Sequence, residues 1–290
     1  MDWLHRLLTD HKIPLGRWVK GGVDWITDNF YDQFDAFSRG LEYLIQGAVD
    51  MLTAIPPLIL IVAVGGFGYW LHRSWRLVAF IAAGLLMVLN LGFWAEMIET
   101  LALVIFATVI SIMLGVPTGI LTARRPWLYA GLRPILDMMQ TIPTFVYLIP
   151  TLILFGLGLV PGLISTIIFA VPAPIRLTHL GISSVPKPLV EAGESFGATR
   201  WQLLYKVELP HAMPTIMAGV NQTIMLSLSM VVIAALVGAG GLGTPVVRAL
   251  NTVNIAQGFE AGLAIVIVAI LLDRILKQVE PAGRAKTPKS

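Results

Sequence analysis

Two long uncharged runs in this chain are separated by the polar segment EAGESFGATRWQLLYKVELP, which extends from Glu191 to Pro210. The run before it, residues 138–175, has 38 residues, and the run that begins at its end, residues 209–247, has 39. A helix needs about 20 apolar residues to cross a bilayer, so both runs are long enough to enter a membrane. The sequence therefore predicts a membrane protein in which a polar helical loop, broken at Gly197, joins two spans.

The remaining apolar runs predict further membrane helices. The run 138–175 is too long for one helix, and the cluster GLGLVPG at 156–162 predicts a tight hairpin inside it. The run 209–247 predicts one helix, about 213–237, followed by a Gly-rich loop. The chain is therefore predicted to be an all-α membrane protein with about seven transmembrane helices, which lie in the runs 51–72, 77–95, 100–123, 138–175 (two helices), 213–237 and 257–276.

The composition agrees with a membrane protein and disfavours a soluble enzyme. Apolar residues make up 56% of the chain and charged residues 13%, about half the charged fraction of soluble proteins. The chain has no Cys, which excludes a disulfide framework and Cys-based metal sites. No Lys follows a Gly and no HExxH is present, so neither a Walker A loop nor that zinc motif exists. We therefore predict no catalytic residues and no metal ligands in this chain.

Some glycine patterns resemble motifs of other protein classes. The segment GAGGLG at 238–243 fits a dinucleotide-binding pattern, but it follows a predicted membrane helix instead of a strand. We interpret its glycines as a flexible turn or a site of close helix packing. The pairs Gly115/Gly119 and Gly158/Gly162 have the small-xxx-small spacing that is typical of packed membrane helices.

The distribution of Lys and Arg predicts the orientation. With the N-terminus outside, the inner segments carry 14 of these residues and the outer segments carry 6. Basic residues accumulate on the cytoplasmic side of membrane proteins, so an outer N-terminus and a cytoplasmic C-terminus are expected. The first 50 residues carry 13 formal charges, so they do not resemble a signal peptide.

An amphipathic helix is predicted before the first span, at residues 16–48. Its apolar residues follow steps of three and four, and its other face is mostly acidic. We expect it to lie on the membrane surface or on the helix bundle, either as a scaffold or as a contact for an external partner. The apolar face consists of Val19, Val23, Ile26, Phe30, Phe34, Phe37, Leu41, Leu44 and Ala48.

The segment that begins at Glu191 is similar to the cytoplasmic coupling loop of ABC importer permeases, which has the pattern E-A-A-x3-G-x9-I-x-L-P. Every spacing of that pattern is kept, with Val207 in the Ile position and Gly193 where the third residue is usually Ala. The resemblance implies a type I ABC importer permease fold and a role in coupling to a separate ATPase. The coupling residues that it implies are Glu191, Ala192, Gly193, Gly197, Val207, Leu209 and Pro210.

Nearly the whole chain resembles quaternary-amine uptake permeases, which serve glycine betaine, proline betaine and choline. The segments that carry this resemblance are PLGRWVKGGVDWITDNF (14–30), TIPTFVYLIP (141–150), VPAPIRLTHLGI (171–182) and LPHAMPTIMAGVNQTIMLSLSMVVIAALVGAGGLG (209–243).

The resemblance also implies partners and a location. The partners are a second copy of the chain, two cytoplasmic ATPase subunits that bind ATP and Mg, and a separate periplasmic substrate-binding protein. The location is the bacterial inner membrane, and no nucleic acid is involved. This chain binds no cofactor of its own in that assembly.

The organisation predicted on this basis has four regions. They are an N-terminal periplasmic segment (1–50), two peripheral transmembrane helices (51–95), a permease core (96–276) that contains the coupling loop (176–210), and a basic cytoplasmic tail (277–290).

Polar and aromatic residues inside the predicted spans are candidates for the substrate path. A quaternary ammonium group is attracted to aromatic faces, and polar side chains in a span need a partner or water. Hydrogen bonds between packed helices explain such polar residues equally well. The candidates are Gln140, Thr141, Phe145, Tyr147, Asn221, Thr223, Ser227 and Ser229.

Other functions stay open at this level. An ABC permease for another small solute, such as an amino acid, would carry the same coupling loop. An ATP-independent channel or secondary carrier would not need that loop. A seven-span receptor or intramembrane enzyme is disfavoured because no span contains Lys, a catalytic pair or a metal site.

Overall fold

The computed structural model describes residues 14–276, without the side chains of Leu15 and Val19. This part of the chain consists of helices, turns and short connections and contains no strand. The predicted basic tail and the first thirteen residues lie outside the described residues. The α-helices are α1 (Leu15–Thr53), α2 (Pro57–His72), α3 (Trp75–Asn90), α4 (Trp94–Arg124), α5 (Pro126–Thr141), α6 (Leu148–Phe155), α7 (Leu159–Ala170), α8 (Pro172–Ser183), α9 (Lys187–Ser195), α10 (Arg200–Leu203), α11 (Leu209–Ala234), α12 (Gly243–Thr252) and α13 (Ile255–Leu276).

Helices α4, α7, α8 and α11 form the centre of the molecule and pack directly on one another. Their contact surfaces are mainly apolar, with several buried Thr and Ser side chains among them, and the core continues onto α3 and α13. The largest side chains that are completely or almost completely buried include Ile98, Leu103, Leu163, Met230 and Leu242. Burial of such side chains excludes lipid as well as water, so this bundle is the rigid part of the fold.

The all-α membrane fold is confirmed, but the count of seven spans is not. Among residues 14–276, four helical stretches are long and apolar enough to cross a bilayer, and two bent helix pairs raise the number to six. Helix α3 is apolar but has only 16 residues. The four stretches are Trp94–Arg124, Leu159–Ser183, Arg200–Val237 and Ile255–Leu276.

The boundaries of the spans differ from the charge-free runs in one systematic way. Helix α4 begins at Trp94, so Glu96 and Glu99 lie on its first turns and not in an outer loop. Helix α3 ends at Asn90, because Gly92 adopts φ +80° and turns the chain. A helix can continue through a charged residue that lies at the headgroup layer. Counting uncharged runs therefore places the start of α4 and the end of α3 several residues too late in the sequence.

The run 138–175 breaks at the predicted hairpin and at a second point. Helix α6 ends at Phe155 and α7 begins at Leu159, with positive φ at Gly156 and Gly158. Before α6, the chain bends by 107° between α5 and the segment Thr144–Phe155. Ile142 is extended at this bend (ψ 131°) because Pro143 disfavours the helical conformation of the residue before it. The segment before the hairpin therefore consists of helix α5, a sharp elbow and the short helix α6.

The predicted amphipathic helix is present as α1, which bends sharply (99°) from α2. Only its second half packs on the bundle: Ile45 and Val49 are buried, and Phe34 contacts Phe155 of the hairpin edge-on at 5.2 Å. In the first half, no described side chain is buried. The helix therefore attaches to α4, α6 and α7 through its C-terminal part.

Three of the four glycines predicted as packing sites make close contacts, namely Gly115 and Gly119 with α8 and Gly162 with Ala239, whereas a Cβ on Gly158 would meet no atom within 4 Å. A Cβ added to Gly119 of α4 would lie 2.6 Å from Thr178 Cβ and 2.7 Å from the Ile175 carbonyl oxygen of α8. A Cβ on Gly162 of α7 would lie 2.5 Å from Ala239 Cβ. These glycines let backbones approach to a distance that no side chain permits.

Candidate functional site: the coupling loop and the substrate path

The coupling loop folds into two short helices joined by a turn. Residues 176–183 continue helix α8, and after Pro186 the chain forms α9, a turn at Phe196–Thr199, α10 and a π-helical turn at Leu204–Glu208. The π-turn leads directly into α11. Because Pro210 has no N–H, the carbonyl of Lys206 has no ordinary helical donor, and the wider turn accommodates this. The second half of the loop, from Arg200 onward, is therefore a continuous helical extension of the membrane helix α11.

Gly197 ends helix α9 in the left-handed conformation, with φ +76°. The N–H of Ala198 donates to the Gly193 carbonyl (3.1 Å), and the N–H of Gly197 donates to the Glu194 carbonyl (2.9 Å). These two bonds form a Schellman motif, in which glycine is favoured because a Cβ is strained. An added Cβ on Gly197 would meet no atom within 4 Å. Backbone conformation, and not close packing, is therefore the reason for a glycine at this position.

Gly193 lies where α9 packs on the following turn. A Cβ there would be 2.7 Å from Leu203 Cδ1 and 3.7 Å from Val207 Cγ2. Leu209 continues this contact into a small apolar cluster with the buried residues Leu204 and Ala212. The apolar residues of the motif therefore hold the two halves of the loop together, while Glu191, Ala192 and Pro210 are exposed.

Helix α10 begins with a capping box that fixes the second half of the loop. The N–H of Thr199 donates to Gln202 Oε1 (2.8 Å), and the N–H of Gln202 donates to Thr199 Oγ1 (3.4 Å). Such reciprocal caps satisfy the first donors of a helix that is too short to be stable alone. The loop is thus ordered by local bonds at both ends of its central turn.

One arginine connects the coupling loop to the membrane bundle. Arg124, the last residue of α4, donates to Glu208 Oε2 (3.1 Å) and to the Arg200 carbonyl (3.1 Å). The side chain of Arg124 is 31% exposed and that of Glu208 is 14% exposed. Solvent therefore screens this ion pair less than it screens a fully exposed ion pair. The bridge spans a groove of about 920 Å³ between the end of α4 and the coupling loop.

The exposed side of the loop carries aromatic residues that the sequence interpretation did not include. Phe196 is 93% exposed, and the exposed rings of Trp201 and Tyr205 stack at 6.1 Å. Exposed apolar side chains concentrated on a polar loop mark a protein contact surface. The signal in the sequence is the presence of three aromatic residues within a charged, Gly-containing segment.

Four of the predicted path residues are on the surface of the bundle. Gln140 and Thr141 are exposed at the end of α5, and Phe145 is 58% exposed in the 3₁₀ turn Thr144–Tyr147. Ser229 is exposed on α11, where its hydroxyl donates to the Met225 carbonyl (3.0 Å).

The other four predicted path residues face the interior of this chain. Thr223 is buried and bonds to the Gly219 carbonyl (2.7 Å), and Ser227 is buried beside Thr108 Oγ1 (3.5 Å). Tyr147 is 9% exposed and donates to the Met139 carbonyl. Asn221 lies in a small cleft between α11 and α13. The structure thus separates the set into two groups, and the transport role of each residue stays a prediction.

The GAGGLG segment is a tightly bonded turn at the opposite end of the bundle from the coupling loop. Glu99 Oε2 of α4 accepts a hydrogen bond from the N–H of Gly241 (2.7 Å), and Thr100 Oγ1 accepts one from Leu242 (2.8 Å). The N–H of Gly158 in the hairpin donates to the Val237 carbonyl (3.0 Å). Three elements are therefore joined here. We call this the glycine lock: Glu99–Thr100, the hairpin 156–158 and the loop 237–242.

Within residues 14–276, no three side chains of His, Asp or Glu are grouped so that they could hold a metal ion. The described part of the chain consists of a helical bundle with the ordered coupling loop at one end and the glycine lock at the other.

An all-helical bundle with an ordered, aromatic coupling loop is the architecture of a type I ABC importer permease, a membrane transport subunit. A family model described as the binding-protein-dependent transport system inner membrane component matches residues 115–284. This chain belongs to that family. The resemblance that the coupling loop indicates is therefore confirmed.

Three curated relatives are similar over most of their length. The chain is 47% identical over 275 residues to the glycine betaine transport system permease protein OpuAB of Bacillus subtilis (strain 168), covering 95% of this chain and 97% of the relative. It is 46% identical to the glycine betaine/carnitine transport permease protein GbuB of Listeria monocytogenes serotype 1/2a (strain 10403S), covering 94% and 98%. It is 43% identical to the glycine betaine/proline betaine transport system permease protein ProW of Escherichia coli (strain K12), covering 99% and 79%.

The fold has a counterpart among solved structures. A chain of the MetNI methionine ABC transporter, solved in inward-facing conformations, superimposes with a TM-score of 0.56 at 26% identity. The match covers 62% of this chain and 92% of that chain. The similarity confirms the type I importer fold.

Proposed function

We propose that this chain is the transmembrane permease subunit of an ATP-driven importer for a quaternary ammonium compatible solute. The observation that carries the proposal is the 43–47% identity over nearly the whole chain to three permeases named for glycine betaine transport. The methionine transporter is similar at only 26% identity, so an amino-acid permease is less well supported. Glycine betaine, proline betaine, carnitine and choline share a quaternary ammonium and a small polar group, and they are the candidate solutes.

The assembly that we propose contains two copies of this chain, two cytoplasmic ATPase subunits and a periplasmic binding protein. The N-terminus lies outside and the C-terminus in the cytoplasm, as the 14 to 6 distribution of Lys and Arg favours. ATP and Mg bind to the ATPase subunits, and this chain carries no cofactor. The coupling loop then faces the ATPase, and the glycine lock lies near the periplasmic side.

Coupling in this proposal proceeds by a rigid-body push. The ATPase contacts the exposed surface of α9 and α10, including Glu191, Phe196 and Trp201. Two connections carry the movement inward: the π-turn leads into α11, and Arg124 links the loop to α4. Because α4 and α11 pack directly on each other, a displacement of the loop moves both helices together.

The test is a competition assay in proteoliposomes that contain the complete importer. Uptake of labelled glycine betaine is measured with an excess of unlabelled choline, proline betaine, carnitine or methionine. We expect quaternary amines to reduce uptake and methionine to leave it unchanged. Inhibition by methionine alone, or no uptake of any quaternary amine while another solute stimulates ATP hydrolysis, would remove the substrate assignment.

A further inference from the structure

Two polar side chains are exposed on the same side of the membrane helix α11. Gln222 and Ser229 are seven residues apart, which is close to two helical turns, so they share one face. Ala218, one turn before Gln222, is exposed on the same face. The neighbouring polar residues Thr223 and Ser227 are buried and hydrogen-bonded on the opposite side. Met225, which is 41% exposed, lies between Gln222 and Ser229 on the same face, so the face is mixed, and its two polar side chains distinguish it from a face in contact with lipid.

The exposed face of α4 shows the contrast within the same bundle. Between Ile105 and Leu121 its exposed side chains are all apolar, as expected for contact with lipid. An amide such as that of Gln222 loses its hydrogen bonds to water in hydrocarbon, at a cost of several kcal/mol unless it finds a partner. The face of α11 therefore requires water or another protein surface. The exposed apolar residues of α4 are Ile105, Val109, Met113, Leu114 and Leu121.

The elbow between α5 and α6 is attached to the same helix. The 3₁₀ turn Thr144–Tyr147 contacts α11, and within this turn Tyr147 is buried while Phe145 is 58% exposed. The hairpin after α6 is joined to the end of α11 by the bond from the N–H of Gly158 to the Val237 carbonyl (3.0 Å). The exposed ring of Phe145 therefore projects from an element that is attached to α11 at both of its ends.

We infer that Gln222, Ser229 and Phe145 line the translocation path and face the same residues of a second copy across it. This inference rests on the proposed function. The polar groups of α11 supply hydrogen bonds to water and to the solute's polar end. The ring of Phe145 attracts the quaternary ammonium, and a single cation–π contact per copy is weak enough to allow release. The sequence alone does not separate Gln222 from its polar neighbours Asn221 and Thr223, but the structure exposes Gln222 on α11. Gln222 is therefore the residue of the three that selects the solute in this inference.

The absence of Cys from the sequence allows a direct test in the complete importer. Single substitutions Ser229→Cys and Gln222→Cys are compared with Ser227→Cys, a buried serine on the same helix, and Met113→Cys, which is 69% exposed on the apolar face of α4. The probe is a membrane-impermeant methanethiosulfonate that carries a trimethylammonium group. Each variant is first assayed for glycine betaine uptake, so that only functional proteins are compared.

We expect the cysteines at positions 229 and 222 to react at least about tenfold faster than those at 227 and 113, because the thiolate needs water to form. Labelling at 229 should abolish uptake, and excess glycine betaine should slow the labelling. Equal rates at 229 and 227, or faster labelling at 113, would overturn the inference. If those variants import glycine betaine normally, the proposed function stands and only the path assignment fails. If wild-type chain imports no quaternary amine, the proposed function itself fails.

Phe145 has an independent test. We expect Phe145→Tyr to retain uptake and Phe145→Leu to reduce it by about twofold to fivefold, which corresponds to the roughly 0.5–1 kcal/mol of a cation–π contact. Equal uptake by both variants would contradict a role for the ring. Phe80→Leu, an exposed aromatic outside this face, serves as the control and should leave uptake unchanged.

Discussion

Gly197 is the residue at which the coupling loop changes direction. Its φ of +76° and its two Schellman hydrogen bonds explain why a glycine is required where no neighbour limits the space. Gly193 is different, because the side chain of Leu203 leaves no space for a Cβ at that position. Two glycines of one motif thus serve different physical purposes.

Gly197→Ala tests this explanation. Forcing a Cβ into the left-handed region costs about 1–2 kcal/mol, so we expect lower thermal stability and reduced ATP-coupled uptake. Gly197→Asn should recover most of the loss, because Asn tolerates this conformation. Gly131→Ala is the control, since Gly131 is helical and meets no atom within 4 Å. Equal melting temperatures for Gly197→Ala and Gly197→Asn would contradict the account.

Glu99 is the charged residue of the glycine lock. Its carboxylate accepts a hydrogen bond from Gly241, in a loop where Gly238, Gly240 and Gly241 all have positive φ. Such a loop has many alternative conformations when it is free, so the carboxylate selects one of them. The sequence interpretation, a flexible turn or a site of close helix packing, is therefore incomplete: the glycines make the turn accessible, and Glu99 fixes it.

Glu99→Ala should lower the free energy of unfolding by about 1.5–3 kcal/mol, the usual worth of a hydrogen bond to a charged group. Glu99→Gln keeps an acceptor oxygen and should lose less. Glu96→Ala, one turn away on the same helix, is the matched control, since its carboxylate makes no hydrogen bond among the described residues. The measurement is the thermal unfolding of the purified protein. If all three variants unfold at the same temperature, the lock has no role in stability.

At the scale of elements, the sequence predicts which helices exist better than where they bend. Uncharged runs identify the hairpin at 156–158 and the Gly-rich end of α11, because glycines mark both. They miss the elbow at Pro143, since a proline within an apolar run leaves mean hydropathy unchanged. They also leave Ser227 and Ser229 indistinguishable. Which of the two is buried depends on how α11 is rotated against α4 and α8, and that is a tertiary property.

The bridge between Arg124 and Glu208 is the connection that we propose to transmit movement from the coupling loop to α4. We expect Arg124→Ala to raise the number of ATP molecules hydrolysed per solute imported, because the loop then moves without α4. A double-mutant cycle with Glu208→Gln, measured as the free energy of unfolding of the four proteins, should give a coupling energy of about 0.5–1 kcal/mol between the two side chains. This lies within the range for neighbouring residues.

Arg125→Ala is the matched control for this prediction. Arg125 is adjacent, lines the same groove and makes no ion pair among the described residues. Its substitution should leave the ratio of hydrolysis to uptake unchanged. An unchanged ratio in Arg124→Ala, or an equal rise in both variants, would show that the bridge does not couple the loop to α4.

At the scale of the whole molecule, the two ends of the bundle have opposite characters. One end carries the exposed aromatic coupling loop, and the other carries the glycine lock, where three elements are hydrogen-bonded together. Helices α4 and α11 connect the ends and pack closely along their length. A push on the loop is therefore expected to tilt the bundle as one body, which opens and closes a path between two copies.

The most direct test of this account is accumulation of glycine betaine against its gradient. Proteoliposomes contain this chain and its ATPase, with ATP inside and the binding protein outside, at equal internal and external glycine betaine. The account predicts that the internal concentration rises several-fold, and only when ATP, the ATPase and the binding protein are all present. Equilibration without accumulation, or uptake by this chain alone, would contradict it.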